Sequence, residues 1–110
     1  MAIIREIGRK DDAGKLPIGL WSRYAIEDVA AILDYGAHKY AAHNWRKGIE
    51  WQRTIDAAMR HLIAFNSGED YDPESGLPHI AHAACNLMFL MEYARTHREL
   101  DNRHKDHANG

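Results

Sequence analysis

The sequence predicts an all-α fold, arranged as a small antiparallel helical bundle. Three segments repeat apolar residues with a helical period, stretches rich in Gly, Pro and Asp separate them, and no segment alternates apolar and polar residues as a strand would. A length of 110 residues fits one domain with one core. We assign residues 1–98 to this domain and expect residues 99–110 to form a polar, disordered tail.

The first helix is predicted from Ala25 to about Tyr40, with Ser22 as its N-cap. Its apolar arc consists of Ile26, Val29, Ile32, Leu33 and Tyr40, and its opposite stripe holds Glu27, Asp34 and His38. The second helix is predicted from about Gln52 to Phe65 and ends at the following Asn-Ser-Gly.

The third helix is predicted to begin at Pro78 or His79 and to run to about Arg98. It is apolar almost all round, so we expect it to be buried. His79, His82 and Asn86 interrupt it at i, i+3 and i+7, which places them on one stripe. Burying such groups without partners costs about 1–3 kcal/mol each, so a side chain, a metal ion or a ligand must meet them.

The overall composition excludes several classes of protein. A formal charge of −2 makes a nucleic acid polymer an unsuitable partner. The single Cys85 lies within an apolar segment, which is typical of a core residue in a reducing compartment. No apolar run approaches the length of a membrane span, so we expect a cytoplasmic protein with no membrane partner.

Acidic and imidazole side chains supply candidate metal ligands on the first and third predicted helices and on the loop before the third. Carboxylates with a few imidazoles suit Mg²⁺ or Mn²⁺, and helical bundles hold such ions with inward side chains. The candidate ligands are Glu27, Asp34, Glu69, Asp72, His79 and His82. Simpler alternatives are a solvated face for the residues of the first helix, a capping role for His79, and a core hydrogen-bond network for His82 and Asn86.

Cationic and aromatic side chains cluster near the ends of the predicted bundle. Basic groups neutralise phosphates, aromatic rings stack on bases, and an Asn amide can read a base edge. The candidate substrate-binding residues are Lys15, Lys39, Tyr40, Asn44, Trp45 and Arg60. For the neighbouring Arg46 and Lys47 the simpler alternative is an ordinary surface charge.

A series of motifs resembles the dATP/dGTP diphosphohydrolase-like proteins found mainly in bacteriophages. These motifs are Asp12-Ala-Gly-Lys15, Gly36-Ala-His-Lys-Tyr40, Asn44-Trp-Arg-Lys-Gly48, Arg60-His-Leu62, and the stretch from Gly68 through His79 to Asn86. The resemblance covers residues 12–95 and implies an all-α pyrophosphatase broadly related to MazG-like enzymes. Such an enzyme cleaves a deoxypurine triphosphate, dGTP or dATP, to the monophosphate and pyrophosphate with a divalent metal. If the chain is phage-encoded, the compartment is the cytoplasm of the infected cell.

The motifs depart from the MazG-like pattern at the metal site. Those relatives hold Mg²⁺ with ExxE and ExxD motifs, but here His79-Ile-Ala-His82 stands at the second motif and Ala30 follows Glu27 by three residues. The ligands are therefore redistributed, or an imidazole-containing site selects Mn²⁺ or another transition metal, or the metal is lost. We assign catalytic roles to Glu27, His61 and His79, with His82 and Asn86 supporting the wall of the site.

Two other classes compete with this interpretation. An HD-type phosphohydrolase needs an adjacent His-Asp pair, and no His in this sequence is followed by Asp. A non-enzymatic phage interaction module would use its polar stripe as a subunit interface. Because small bundles often complete their cores by association, we expect a homo-oligomer in either case.

Overall fold

The fold, seen in a computed structural model that describes residues 5–106, is all-α as predicted. Its helices are α1 (Arg23–Lys39), α2 (Trp51–Asn66) and α3 (His79–Thr96). Short 3₁₀ turns occur at Ile18–Leu20, Asn44–Lys47 and Arg98–Leu100, and no strand is present in the described range.

Local signals set the helix boundaries, which lie within two residues of the predicted ones. The Ser22 hydroxyl accepts a hydrogen bond from the Ala25 N–H at 3.2 Å, so Ser22 is the N-cap of α1. Gly68, with φ of +100°, turns the chain just after α2. Pro78 directly precedes α3, where its missing N–H costs no helical hydrogen bond.

Helix α3 is central and packs against both α1 and α2. The core joins Ile32 of α1 to Ala81 and Cys85 of α3, and partly buried apolar side chains surround them. Burial raises the pKa of the Cys85 thiol to about 12, which keeps it protonated and unreactive. Cys85 is therefore a core residue, as predicted.

The prediction that α3 is buried all round is wrong. Ile80, Leu87 and Met91 are 43%, 49% and 68% exposed, because α1 and α2 contact only part of the circumference of α3. The exposed face borders an apolar groove of about 250 Å³ between α2 and α3. The residues of this apolar groove are Ile55, Ala58, Met59, Leu62, Ile80, Ala83, Ala84 and Leu87.

The segment before α1 extends away from the helices. Residues 5–28 are all exposed, including Leu16, Leu20 and Trp21. The radius of gyration is 19.6 Å, whereas a compact chain of this length has about 13 Å. Among the described residues, no helix combines the length and the apolar character that crossing a bilayer requires.

The segment after α3 folds back onto the start of α2. Asn102 accepts a hydrogen bond from the Gln52 N–H at 2.9 Å, and the Trp51 indole N–H donates to the His97 carbonyl at 3.1 Å. The Arg103 guanidinium lies 5.0 Å from the centre of the Trp51 ring. Asn102 and Arg103, in the segment predicted to be a disordered tail, thus contact the first residues of α2. Residues 107–110 lie outside the described range, and the domain division itself stays a prediction.

Candidate active site

A cavity of about 700 Å³ opens between α1 and α3 and is the larger of the two concave surfaces described. Its volume is within the range of about 300–1,000 Å³ that is usual for small-molecule sites. Residues 32–37 and 39–46 form one side, and His82, Asn86 and Phe89 of α3 form the other. Residues of α2 and of the loop before α3 close one end.

His61 and Asp72 line this closed end, and the buried His79 lies behind them, outside the cavity lining. His61 of α2, Asp72 of the loop and His79 of α3 each place one ligand atom within 4.8 Å of the others. The Nδ1 atoms of His61 and His79 are only 2.9 Å apart. We call these three residues the His–Asp cluster, since imidazole and carboxylate together are a common donor set for divalent metals.

The loop before α3 is folded so that it holds Asp72 in this cluster. The Ser75 N–H donates to Asp72 Oδ2 at 3.0 Å, and the Gly76 N–H donates to the Asp72 carbonyl at 2.7 Å. Gly76 has φ of +72°, a left-handed conformation that glycine adopts without strain. The His79 N–H bonds the Asp70 carbonyl at 2.9 Å, which ties the loop to the first residue of α3.

Glu69 and His82, both predicted metal ligands, contact the cluster from outside it. The Nε2 of His79 lies 2.6 Å from Glu69 Oε1, and only 5% of the His79 side chain is exposed. The His82 ring stacks on the His61 ring with centroids 4.4 Å apart, and its Nε2 lies 2.7 Å from the Ser75 hydroxyl. The Ser75 hydroxyl is thus the hydrogen-bond partner of the His82 ring, and the His61 ring is its stacking partner.

The electrostatics of His61 and Asp72 favour the protonation states that metal ligands require. Burial lowers the pKa of His61 and of His82, and the neighbouring imidazoles lower each further. Burial alone would raise the pKa of Asp72, but hydrogen bonds from Ser75 and the nearby His82 hold it below its usual value. Neutral imidazoles and an ionised carboxylate are the forms that bind metals.

Aromatic residues line the opposite end of the cavity. Trp45 stacks on Phe89 with ring centroids 4.8 Å apart and planes 15° apart. The buried Tyr93 hydroxyl donates to the Trp45 carbonyl at 2.7 Å. Phe89 and Tyr93 were not among the residues predicted from the sequence, although they continue the stripe of His79, His82 and Asn86 at the same helical spacing.

Two predicted phosphate-binding cations reach the cavity. Arg60 lines it near His61 and forms no ion pair with any residue of the described chain. Lys39 also lines it but bonds Glu74 at 2.8 Å, which raises the pKa of Lys39. Tyr40 and Asn44 are further lining residues, so the predicted substrate-binding set is largely brought together.

The remaining candidates lie elsewhere or at the margin. Glu27 is exposed on α1 and pairs with Arg23 at 2.9 Å, and Lys15 lies in the exposed N-terminal segment. Neither lines the cavity, so the structure does not support the expectation that they join the site. Asp34 does line it, but its side chain is 76% exposed and 3.7 Å from His38.

The sequence of this chain is also similar to those of known proteins. Residues 5–103 match the family model described as dATP/dGTP diphosphohydrolase, N-terminal. The chain belongs to the dATP/dGTP diphosphohydrolase family.

One relative in this diphosphohydrolase family is the dATP/dGTP diphosphohydrolase of Salmonella phage PMBT28. It is 42% identical over 83 residues, which cover 76% of this chain. The match spans only 28% of the length of that relative. No solved structure matches this diphosphohydrolase-family chain. The match to the family model and the similarity to the phage relative confirm the family that the sequence motifs predicted.

Proposed function

We propose that this member of the family hydrolyses a deoxypurine triphosphate, dATP or dGTP, to the monophosphate and pyrophosphate with a divalent metal ion. One observation carries the proposal: a single cavity is lined by His61 and Asp72 of the His–Asp cluster, by the Arg60 guanidinium, and by an aromatic wall of Trp45 and Phe89. The relative from the Salmonella phage is named for the same two nucleotides. We place the reaction in the cytoplasm of an infected cell, where those nucleotides are found.

The donor atoms present fit a divalent ion. His61, Asp72 and His79 would hold it, and they offer two imidazole nitrogens and an ionised carboxylate within 4.8 Å of one another. When bound, such an ion polarises phosphate oxygens and lowers the pKa of a water molecule. Arg60 would neutralise the negative charge that grows on the phosphates as pyrophosphate leaves.

The aromatic end of the cavity is suited to the base. A purine could stack beside Trp45 and Phe89, whose rings already pack together. Asn86 donates its Nδ2 to the His82 carbonyl at 3.0 Å, which leaves Oδ1 to accept a hydrogen bond from a purine. We therefore propose that the triphosphate binds near the His–Asp cluster and the base near Trp45.

The experiment is a product assay over a panel of dNTPs and NTPs with Mg²⁺ or Mn²⁺. We expect pyrophosphate and a nucleoside monophosphate, released fastest from dATP or dGTP and abolished by EDTA. Release of orthophosphate, or equal turnover of pyrimidine and purine nucleotides, would contradict the proposal. A matched pair of substitutions, Arg60→Ala in the cavity and Arg53→Ala on the exposed side of α2, tests the phosphate assignment.

We also propose that the chain forms a homo-oligomer by pairing the apolar groove with a second copy. Its borders carry Met59 at 54% and Leu62 at 51% exposure on α2, and Leu87 at 49% on α3. Because one chain presents both the groove and the apolar ridges beside it, a two-fold contact can seat each ridge in the groove of the other copy.

A further inference from the structure

We propose that the His–Asp cluster is a nitrogen-rich centre that selects transition metal ions over Mg²⁺, and that Glu69 is the positioning residue that prepares His79 for it. The reaction of this centre rests on the proposed function, but the preference among metals does not. Two observations support this centre: the distances within the cluster and the contact of His79 Nε2 with Glu69.

The spacing of the two histidines fits a shared ion. Their Nδ1 atoms are 2.9 Å apart, and an Asp72 oxygen lies within 4.8 Å of the ligand atoms of both rings. Bonds of about 2.0–2.2 Å to one metal leave adjacent ligand atoms ~3–3.5 Å apart. The Nδ1 atoms are thus close enough to share an ion once both rings rotate out of their direct contact and toward a common point.

Glu69 determines which nitrogen of His79 is available. Its carboxylate oxygen lies 2.6 Å from His79 Nε2, so that nitrogen carries the proton and donates it. The Nδ1 of a neutral His79 then presents its lone pair toward His61. A carboxylate that bonds the far nitrogen of a metal-binding histidine is a recurrent device, since it fixes the ring and raises its basicity.

The proton on His61 must also be placed. If His79 carries its proton on Nε2, the 2.9 Å contact is a hydrogen bond from His61 Nδ1–H to His79 Nδ1. A His61 ring that held an ion through Nδ1 would carry this proton on Nε2 instead, a change of tautomer that loses no net proton. Both Nδ1 lone pairs would then be free for one cation.

The donor set accounts for the selectivity. Mg²⁺ prefers an octahedral shell of oxygen ligands, and the cluster supplies one carboxylate. Two imidazoles and one carboxylate suit Mn²⁺, Fe²⁺, Co²⁺ or Zn²⁺. His82 adds no ligand atom in this arrangement, since its Nε2 lies beside the Ser75 hydroxyl at 2.7 Å.

The first test is a titration of the full chain with Co²⁺, without nucleotide, followed by the visible absorption of the bound ion. We expect saturation at one Co²⁺ per chain and little loss of signal under a roughly hundred-fold excess of Mg²⁺. Displacement by Mg²⁺ at similar concentrations would overturn the selectivity, and the absence of any cobalt spectrum would overturn the centre.

Variants at Glu69 test the positioning role. Glu69 is half exposed, so we expect its variants to fold, which circular dichroism would verify. We expect Glu69→Ala to weaken Co²⁺ binding by about 10–100-fold and to shift the absorption band. Glu69→Gln should restore part of the affinity because its amide oxygen still accepts from His79. Unchanged affinity and spectrum in Glu69→Ala would overturn the role.

Two further variants test whether Co²⁺ binds at the His–Asp cluster or at a histidine elsewhere on the chain. Asp72→Ala should abolish the cobalt spectrum, whereas His38→Ala, an exposed histidine beside Asp34, should leave it unchanged. Loss of the spectrum in His38→Ala would overturn the assignment. Cobalt binding without nucleotide hydrolysis would contradict only the proposed function. Hydrolysis with Mg²⁺ by a chain that binds no Co²⁺ would contradict only the proposed metal centre.

Discussion

The two sides of α3 differ in how completely a single chain provides contacts for their side chains. On the cavity side, His79, His82 and Asn86 each have a hydrogen-bond partner, and no buried side-chain nitrogen or oxygen of the described residues is left unpaired. On the other side, Leu87 and Met91 remain about half or more exposed. A hydrogen bond needs one well-placed partner, whereas burying apolar surface needs area, and three helices supply too little of it.

The largest expected effect comes from breaking the cavity side at His79. His79→Ala should lower metal-dependent release of pyrophosphate by about 100-fold or more, because it removes a metal ligand. Glu27→Ala should change the rate less than about two-fold, since Glu27 pairs with Arg23 outside the cavity. Initial rates, with circular dichroism to verify folding, would measure both. Full turnover in folded His79→Ala would remove this residue from the site.

On the apolar side, Leu87→Glu should dissociate the proposed oligomer. A carboxylate placed in the apolar groove would be buried without a partner, which costs several kcal/mol, so self-association should weaken by roughly 100-fold or more. Light scattering coupled to size-exclusion chromatography would measure the mass. Arg53→Glu, on an exposed position of α2, is the control. A wild-type chain that stays monomeric at high concentration would show that the groove does not bind a second copy.

A smaller effect is expected where α3 supports the aromatic wall. Tyr93→Phe removes the hydroxyl that bonds the Trp45 carbonyl at 2.7 Å. That carbonyl keeps its bond from the Gly48 N–H, so the loss of stability should be about 1 kcal/mol. Chemical denaturation would measure it, with the exposed Tyr24→Phe as control. A loss several times larger would mean that the wall depends on this bond alone.

The smallest expected effect is the pH dependence at the end of α3. Both ring nitrogens of His97 face acceptors, Glu99 at 3.0 Å and the Arg46 carbonyl at 2.8 Å. The hydrogen bond with Glu99, then that with the Arg46 carbonyl, raises the pKa of His97 above its usual value of 6.5. A raised pKa in the folded state stabilises the protein below that value, and the contribution is lost as the pH rises through the folded pKa.

Denaturation midpoints from pH 6 to pH 9 would detect this contribution of His97 as a gradual loss of stability. The same scan of His97→Gln should be flatter, because the substituted side chain does not titrate. Identical slopes in the two proteins would show that the imidazolium does not stabilise this turn.

Much of the fold was predictable because its signals are local. The apolar period and a capping residue such as Ser22 fix the helices to within two residues. The pairing of His61 with Asp72 and His79 was not predictable in the same way, since it depends on how α2, the loop and α3 pack. Glu27 illustrates the limit: it shares a stripe with Asp34, but the cavity extends along only part of α1.

The exposure of one side of α3 was likewise beyond local reasoning. The sequence of α3 is apolar on most of its circumference, and this pattern is equally compatible with burial inside one chain and with burial between two. The number of neighbours around a helix is a property of the whole assembly. The stripe that begins at His79 was predictable from its helical spacing. Extending the same spacing would also have predicted its last two members, Phe89 and Tyr93.

Gly48 links the aromatic wall to a distant part of the chain. It has φ of +97°, and a Cβ added there would lie 2.5 Å from Leu100 Cδ1 and 3.2 Å from the His97 ring. The turn that carries Trp45 is therefore braced from behind by residues 97–100. In mechanical terms the short C-terminal turn works as a buttress, so a truncation that removes it would loosen a wall of the cavity without touching any residue that lines it.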